Sequence, residues 1–213
     1  MATFKDRLSI VLSILAFTIS AVSFYLTTLR EVEPEIQAGS RFYISHDIYG
    51  KASIAMSINA TNIGARLFVV ERLALLIHRP DSLDGYVMTP AGYVKVNDKG
   101  EPQEEGMVGP ITVAGRGQVT KQILFKSSSE EDDFTITSPG KYEYTLVAWF
   151  SGKPDPAIAD RFAIELSTTD ANQLSHWANL QVTNSVVVER IGGNEWKAGR
   201  VKDVQVLLKK ARR

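Results

Sequence analysis

Three histidines, His46, His78 and His176, are the side chains of this 213-residue chain best suited to proton transfer or metal ligation near neutral pH. Their spacing points to neither. No HExxH pattern and no closely spaced histidine pair occurs, so the usual zinc arrangement is missing. The chain has no cysteine, which removes thiol catalysis, disulfides and thiolate metal sites. There is no Gly-x-Ser-x-Gly elbow, no Walker loop and no GxGxxG between a strand and a helix. Gly115-Arg116-Gly117 reads as a hairpin turn. The run from Ser127 to Asp133 (SSSEEDD) is the densest acidic patch, and carboxylates suit calcium. It lacks the alternate-residue ligand spacing and the glycine of a calcium loop, so a solvated loop between strands is expected. Asn97 to Pro110 is equally polar and reads as a loop available for recognition. These residues indicate a protein that is not an enzyme and has no cofactor or metal. An enzyme with a dispersed site would be marked by His46 or His78 meeting a carboxylate in a pocket.

The elements that would position any site begin with residues 8–29, LSIVLSILAFTISAVSFYLTTL, 22 residues without a charge. A helix of this length crosses the roughly 30 Å hydrocarbon core of a bilayer. A cleaved signal is the alternative, with Lys5 and Arg7 as its basic region and Ala21-Val22-Ser23 as its cleavage site. The apolar run continues past that site through Phe24, Tyr25, Leu26 and Leu29, which favours a retained anchor. Tyr25 falls where an interfacial aromatic is expected. Ser9, Ser13, Ala16, Ser20, Ser23 and Thr27 recur at spacings of four and three, a seam of small residues along one helix face. Small residues let helix backbones approach closely in lipid, so the seam is the candidate packing face for a partner membrane protein or a second copy. Serine and threonine hydroxyls also bond their own helix's carbonyls one turn back, which needs no partner.

Orientation follows the Lys/Arg bias of the flanks. Lys5, Arg7 and the N-terminal amine slightly outweigh Arg30 and Arg41. The expectation is a single-pass membrane protein with its C-terminal domain on the extracytoplasmic side. The net charge of zero conceals a split: residues 1–30 carry +2, residues 31–196 carry −8 and residues 197–213 carry +6. The tail charges are Lys197, Arg200, Lys202, Lys209, Lys210, Arg212 and Arg213 against Asp203. Val201, Val204, Leu207, Leu208 and Ala211 suit an amphipathic helix there, with a strand through Val204, Val206 and Leu208 as the alternative. Such a tail is a candidate contact for membrane lipids or another anionic surface. Nucleic acid is not expected, because the acidic body repels phosphate.

Residues 30–39 read as a polar stalk and residues 40–167 as the main domain, a size that can bury a substantial core. Ala52, Ile54, Met56, Ile58 and Ala60 alternate with polar residues, the mark of a half-buried strand. Asn62-Ile63-Gly64 then forms a turn. Leu67 to His78 is a long apolar strand or strand pair. Residues 41–49, 93–96, 111–113, 119–125 and 134–137 are shorter strand candidates. Tyr142, Tyr144, Leu146, Ala148 and Phe150 share one face of a strand, and Phe162, Ile164 and Leu166 one face of the next. Asn59-Ala60-Thr61 matches a glycosylation acceptor, but lies inside a strand. Residues 168–213 form a C-terminal extension. Leu174, Trp177, Ala178 and Leu180 suit a helix, and Val186–Val188 a returning strand. The fold class is mainly β: an antiparallel sandwich after one N-terminal transmembrane helix, with a short helical and basic C-terminal segment.

Ser138-Pro139-Gly140-Lys141-Tyr142 places a glycine two residues before a strand-opening tyrosine. It resembles the corner of immunoglobulin-like and fibronectin-III-like domains. There a tyrosine hydroxyl bonds upstream backbone and locks the crossover. Gly140 and Tyr142 match that corner, and Tyr144 stands where an antibody-type domain has its second cysteine. The resemblance implies a sandwich used in adhesion, assembly or recognition. A tethered module binding sugar, peptide or lipid is the second functional class.

Overall fold

The computed structural model describes residues 4–47, 49–80, 85–96, 102–127, 135–181 and 184–191. Helix α1 (Phe4–Phe24) runs into a π-helical turn (Tyr25–Leu29), and among the described residues ten strands with one further helix follow. The strands are β1 (Pro34–His46), β2 (Ala52–Asn62), β3 (Phe68–His78), β4 (Gly85–Val96), β5 (Pro102–Gly106), β6 (Ile111–Val113), β7 (Gln118–Ser127), β8 (Gly140–Phe150), β9 (Ala157–Leu166) and β10 (Ser185–Ile191). Helix α2 (Thr168–Leu180) lies between the last two strands in sequence. The fold is mainly β, with one apolar N-terminal helix and one short C-terminal helix.

All pairings are antiparallel, in the order β5-β4-β7-β2-β1-β10-β9-β8-β3-β6. β4 joins the two halves of this sheet. Its first residues pair with β3, its middle with β7 and its end with β5. The sheet therefore closes on itself. Pro90 sits at the bulge where β4 shifts register against β7, where a missing N–H does least harm to the ladder.

Alternation decides which side chains fill the interior. Ala52, Ile54, Met56, Ile58 and Ala60 of β2 all join the main core, as do Tyr142, Tyr144, Leu146, Ala148 and Phe150 of β8. Phe42 stacks on Phe162 at 4.7 Å between ring centroids, and Tyr144 on Phe162 at 5.1 Å. β3 is apolar on both faces because both are covered. Leu73, Leu75 and Ile77 enter the main core, while Ala74 and Leu76 join Val87, Val147 and Trp149 in a second cluster. The long apolar run is thus one strand.

Several boundaries differ from the sequence expectation: β4 begins at Gly85 rather than at 93, β1 ends at His46 rather than at 49, and residues 102–106 of the expected 97–110 loop form β5 against β4. Residues 34–39 are no stalk: they open β1 and pair with β2, leaving only residues 30–33 between the helix and the sheet. The domain does not close at residue 167, because β10 inserts between β1 and β9. Residues 135–137 form no strand, although Ile136 is fully buried. α2 starts with Ser167, whose hydroxyl accepts the Asp170 N–H, and buries Ala171 and Leu174 in the core.

Candidate functional site

α1 and its π turn supply one helix long and apolar enough to cross a membrane, Leu8–Leu29, and no part of it is buried against the domain. The seam residues Ser9, Ser13, Ala16, Ser20, Ser23 and Thr27 all lie on it, exposed. The Ser13 hydroxyl donates to the Ser9 carbonyl at 2.9 Å, and Thr27 to the Ser23 carbonyl at 2.7 Å. These two donors are satisfied within the helix.

The helix does not leave the domain through a free linker. The Arg30 guanidinium binds Glu33 at 2.8 Å, and the Arg30 carbonyl accepts the Ala65 N–H at 3.1 Å. The Glu33 carbonyl accepts the Ile63 N–H at 3.2 Å. The Arg116 guanidinium donates to the Leu26 carbonyl in the π turn, and the Arg116 N–H donates to the Gly64 carbonyl at 2.9 Å. A collar built from the 63–67 loop and the β6–β7 hairpin thus grips the helix end.

Asn62 holds the collar together. It is 1% exposed. Its Nδ2 donates to the carbonyls of Arg66 (2.6 Å) and Ala114 (3.1 Å), and its Oδ1 accepts the Gly64 N–H at 3.0 Å. Two glycines allow the close approach. A Cβ on Gly64 would stand 1.9 Å from the Glu31 carbonyl oxygen, and one on Gly115 1.9 Å from that of Ala65. The turns at 62–64 and 115–117 were visible in the sequence. Their meeting with residues 26–33 carries no local signal.

A second polar knot lies between β1, β9 and β10. Asp160 and Arg190 form a two-pronged ion pair at 2.9 and 3.1 Å, largely buried. Asp160 also accepts the Ala38 N–H, and Arg190 donates to the carbonyls of Ala38 and Arg161. These groups satisfy backbone where β9 and β10 share only two register positions.

At the corner, the Tyr142 hydroxyl donates to the Ser138 carbonyl at 2.8 Å. Gly140 sits at φ +126°, a conformation that side chains resist.

The histidines are dispersed. His46 is 1% exposed and its Nε2 accepts the Ile136 N–H at 3.3 Å. Burial lowers its pKa, against a smaller opposing pull from Asp47. The Asp47 carboxylate is itself engaged by the N–H groups of Tyr49 and Lys51. Among the described residues, no three His, Asp or Glu side chains gather as a metal site would need. The seven tail cations and most of the acidic run lie outside the described residues.

An open groove of about 670 Å³ lies where β4 and β5 diverge from β7. Tyr93, Lys95 and Glu105 face Thr120, Lys121 and Gln122 across it. The Lys121 ammonium rests 5.3 Å from the Tyr93 ring centroid.

No family model and no curated protein matches the chain. Among solved structures, the sporulation control protein Spo0M from Bacillus subtilis is similar at a TM-score of 0.28 and 10% identity, over 59% of this chain and 47% of that one. This chain thus spans about half the length of that protein. The likeness is too slight to carry any part of the reading below.

Proposed function

We propose that this chain is a non-enzymatic, membrane-anchored interaction or assembly protein. α1 crosses the bilayer and packs its small-residue seam against a partner helix or a second copy. The β domain presents its surface beside the membrane, on the extracytoplasmic side by the charge of the flanks. The collar carries this reading. A simple tether needs only a flexible linker, whereas here residues 26–33 are hydrogen-bonded into two loops of the domain. The strand neighbours support the immunoglobulin-like resemblance. Within the closed sheet, β4-β7-β2-β1 and β3-β8-β9 follow the D-E-B-A and C-F-G neighbourhoods of such domains, with the Tyr142–Ser138 bond at the corner, while β10 between β1 and β9 and the β3–β4 pairing depart from two separate sheets.

Crosslinking in native membranes tests the assembly. Ser13→Leu with Ser20→Leu should reduce the crosslinked complex to the size of the single chain. An unchanged complex would remove the seam from the reading.

The groove beside Tyr93 supports a second reading, a tethered module for a sugar, peptide or lipid. Binding that survives the seam substitutions and disappears with Tyr93→Ala and Lys121→Ala would favour it.

A further inference from the structure

The collar also determines which face of the domain meets the bilayer, and that face carries exposed apolar side chains. Ile63 is 47% exposed and Leu67 61% exposed, on the loop whose Ile63 and Ala65 N–H groups bond Glu33 and Arg30. Leu26 lies three residues inside the end of the apolar run, about 4–5 Å back along a helix. Arg116, bonded to the Leu26 carbonyl, therefore reaches below the point where the chain leaves the hydrocarbon. Arg30, Arg66 and Arg116 occupy this face against Glu31 and Glu33, and Glu33 is neutralised by Arg30.

We propose that the Ile63–Leu67 loop and the Arg116 hairpin tip form a foot that inserts into the headgroup layer of the membrane crossed by α1. The inference rests on the anchor reading and adds a second contact to it. Apolar tips flanked by arginines suit that layer. The side chains of Ile63 and Leu67 can enter the acyl boundary, while the guanidinium groups stay among phosphates and carbonyls. The lipid surface is the occupant because the helix leaves it within a few residues of the loop.

The absence of cysteine makes the test direct. Single cysteines replace Leu67, Ile63, Leu15 or Tyr49 and carry an environment-sensitive fluorophore. The full chain is reconstituted in phosphatidylcholine–phosphatidylglycerol vesicles with spin-labelled lipids. Tyr49 is 78% exposed at the far end of the β1–β2 hairpin, roughly 40 Å from the collar by strand length. Labels at Leu67 and Ile63 should be quenched by headgroup-level spin labels, Leu15 by deep-chain labels and Tyr49 by neither. Quenching at Leu15 with none at Leu67 or Ile63 would overturn the foot and leave the anchor standing. No quenching at Leu15 would overturn the anchor, and the foot with it.

Discussion

The Arg116 guanidinium donates to the Leu26 carbonyl across 90 residues of sequence. It joins the tip of a β-hairpin to the last turn of an apolar helix. The π turn makes this possible, because the Arg30 N–H bonds the Tyr25 carbonyl five residues back, out of the regular α-helical ladder. The Arg116–Leu26 contact is a direct hydrogen-bonded link between the helix end and the sheet.

Arg116→Ala should loosen that link while leaving the sheet folded. Spin labels at Ser20→Cys and Tyr49→Cys in a lipid nanodisc would report it. The distance distribution should be narrow in the parent chain and broader in the variant. Equal widths would show that Arg116 does not hold the helix.

Gly64→Ala and Gly115→Ala should each destabilise the domain, because the added Cβ meets a carbonyl oxygen at 1.9 Å and backbone must shift. Overpacking of this kind costs about 1–3 kcal/mol. Urea denaturation followed by tryptophan fluorescence in detergent would measure it. Gly50→Ala, with open space around its Cβ, is a reference for backbone strain alone, since its φ is +78°.

Breaking the Asp160–Arg190 pair from one side leaves a partly buried charge and frees the Ala38 N–H. Asp160→Leu should cost about 3 kcal/mol, and adding Arg190→Met should recover part of it. Chemical denaturation of the single and double variants reads the coupling. Additive losses would show that the two side chains act separately.

His46 gives a pH dependence of known sign. Burial holds its folded pKa below the ordinary value of 6.5, and its neutral Nε2 accepts the Ile136 N–H. As pH falls through 6.5 the unfolded chain binds a proton that the folded chain refuses, so stability drops. The slope is at most about 1.4 kcal/mol per pH unit until the folded-state pKa is reached. His46→Gln, which keeps an acceptor, should flatten the difference in urea midpoint between pH 7 and pH 5. A parent and variant with the same pH dependence would contradict this.

Local alternation made β2, β8 and β9 readable in the sequence, because alternate positions of each carry the large apolar side chains of the main core, although β8 also buries Val147 and Trp149 on its other face. β1 was read too short. Its first residues, Pro34 to Ala38, turn Ile36 and Ala38 into the core between exposed Glu35 and Gln37, a pattern too short to stand out beside a proline until it pairs with β2. The apolar spacing of α2, through Leu174, Trp177, Ala178 and Leu180, is local and therefore visible, whereas its cap at Ser167 emerges from the structure. The collar and the Asp160–Arg190 pair were not, because each joins residues 30 to 90 positions apart that share no periodic pattern. The helix seam was legible as spacing. Which of its hydroxyls turn back on their own carbonyls became clear only with side chains in place.

We propose that the chain stays in the membrane by residues 8–29 and is gripped there by its own domain. Alkaline extraction of expressing membranes, followed by intact mass of the chain in each fraction, tests it most directly. We expect the chain in the pellet with residues 8–29 retained. A soluble chain, or a form beginning beyond Leu29, would contradict it.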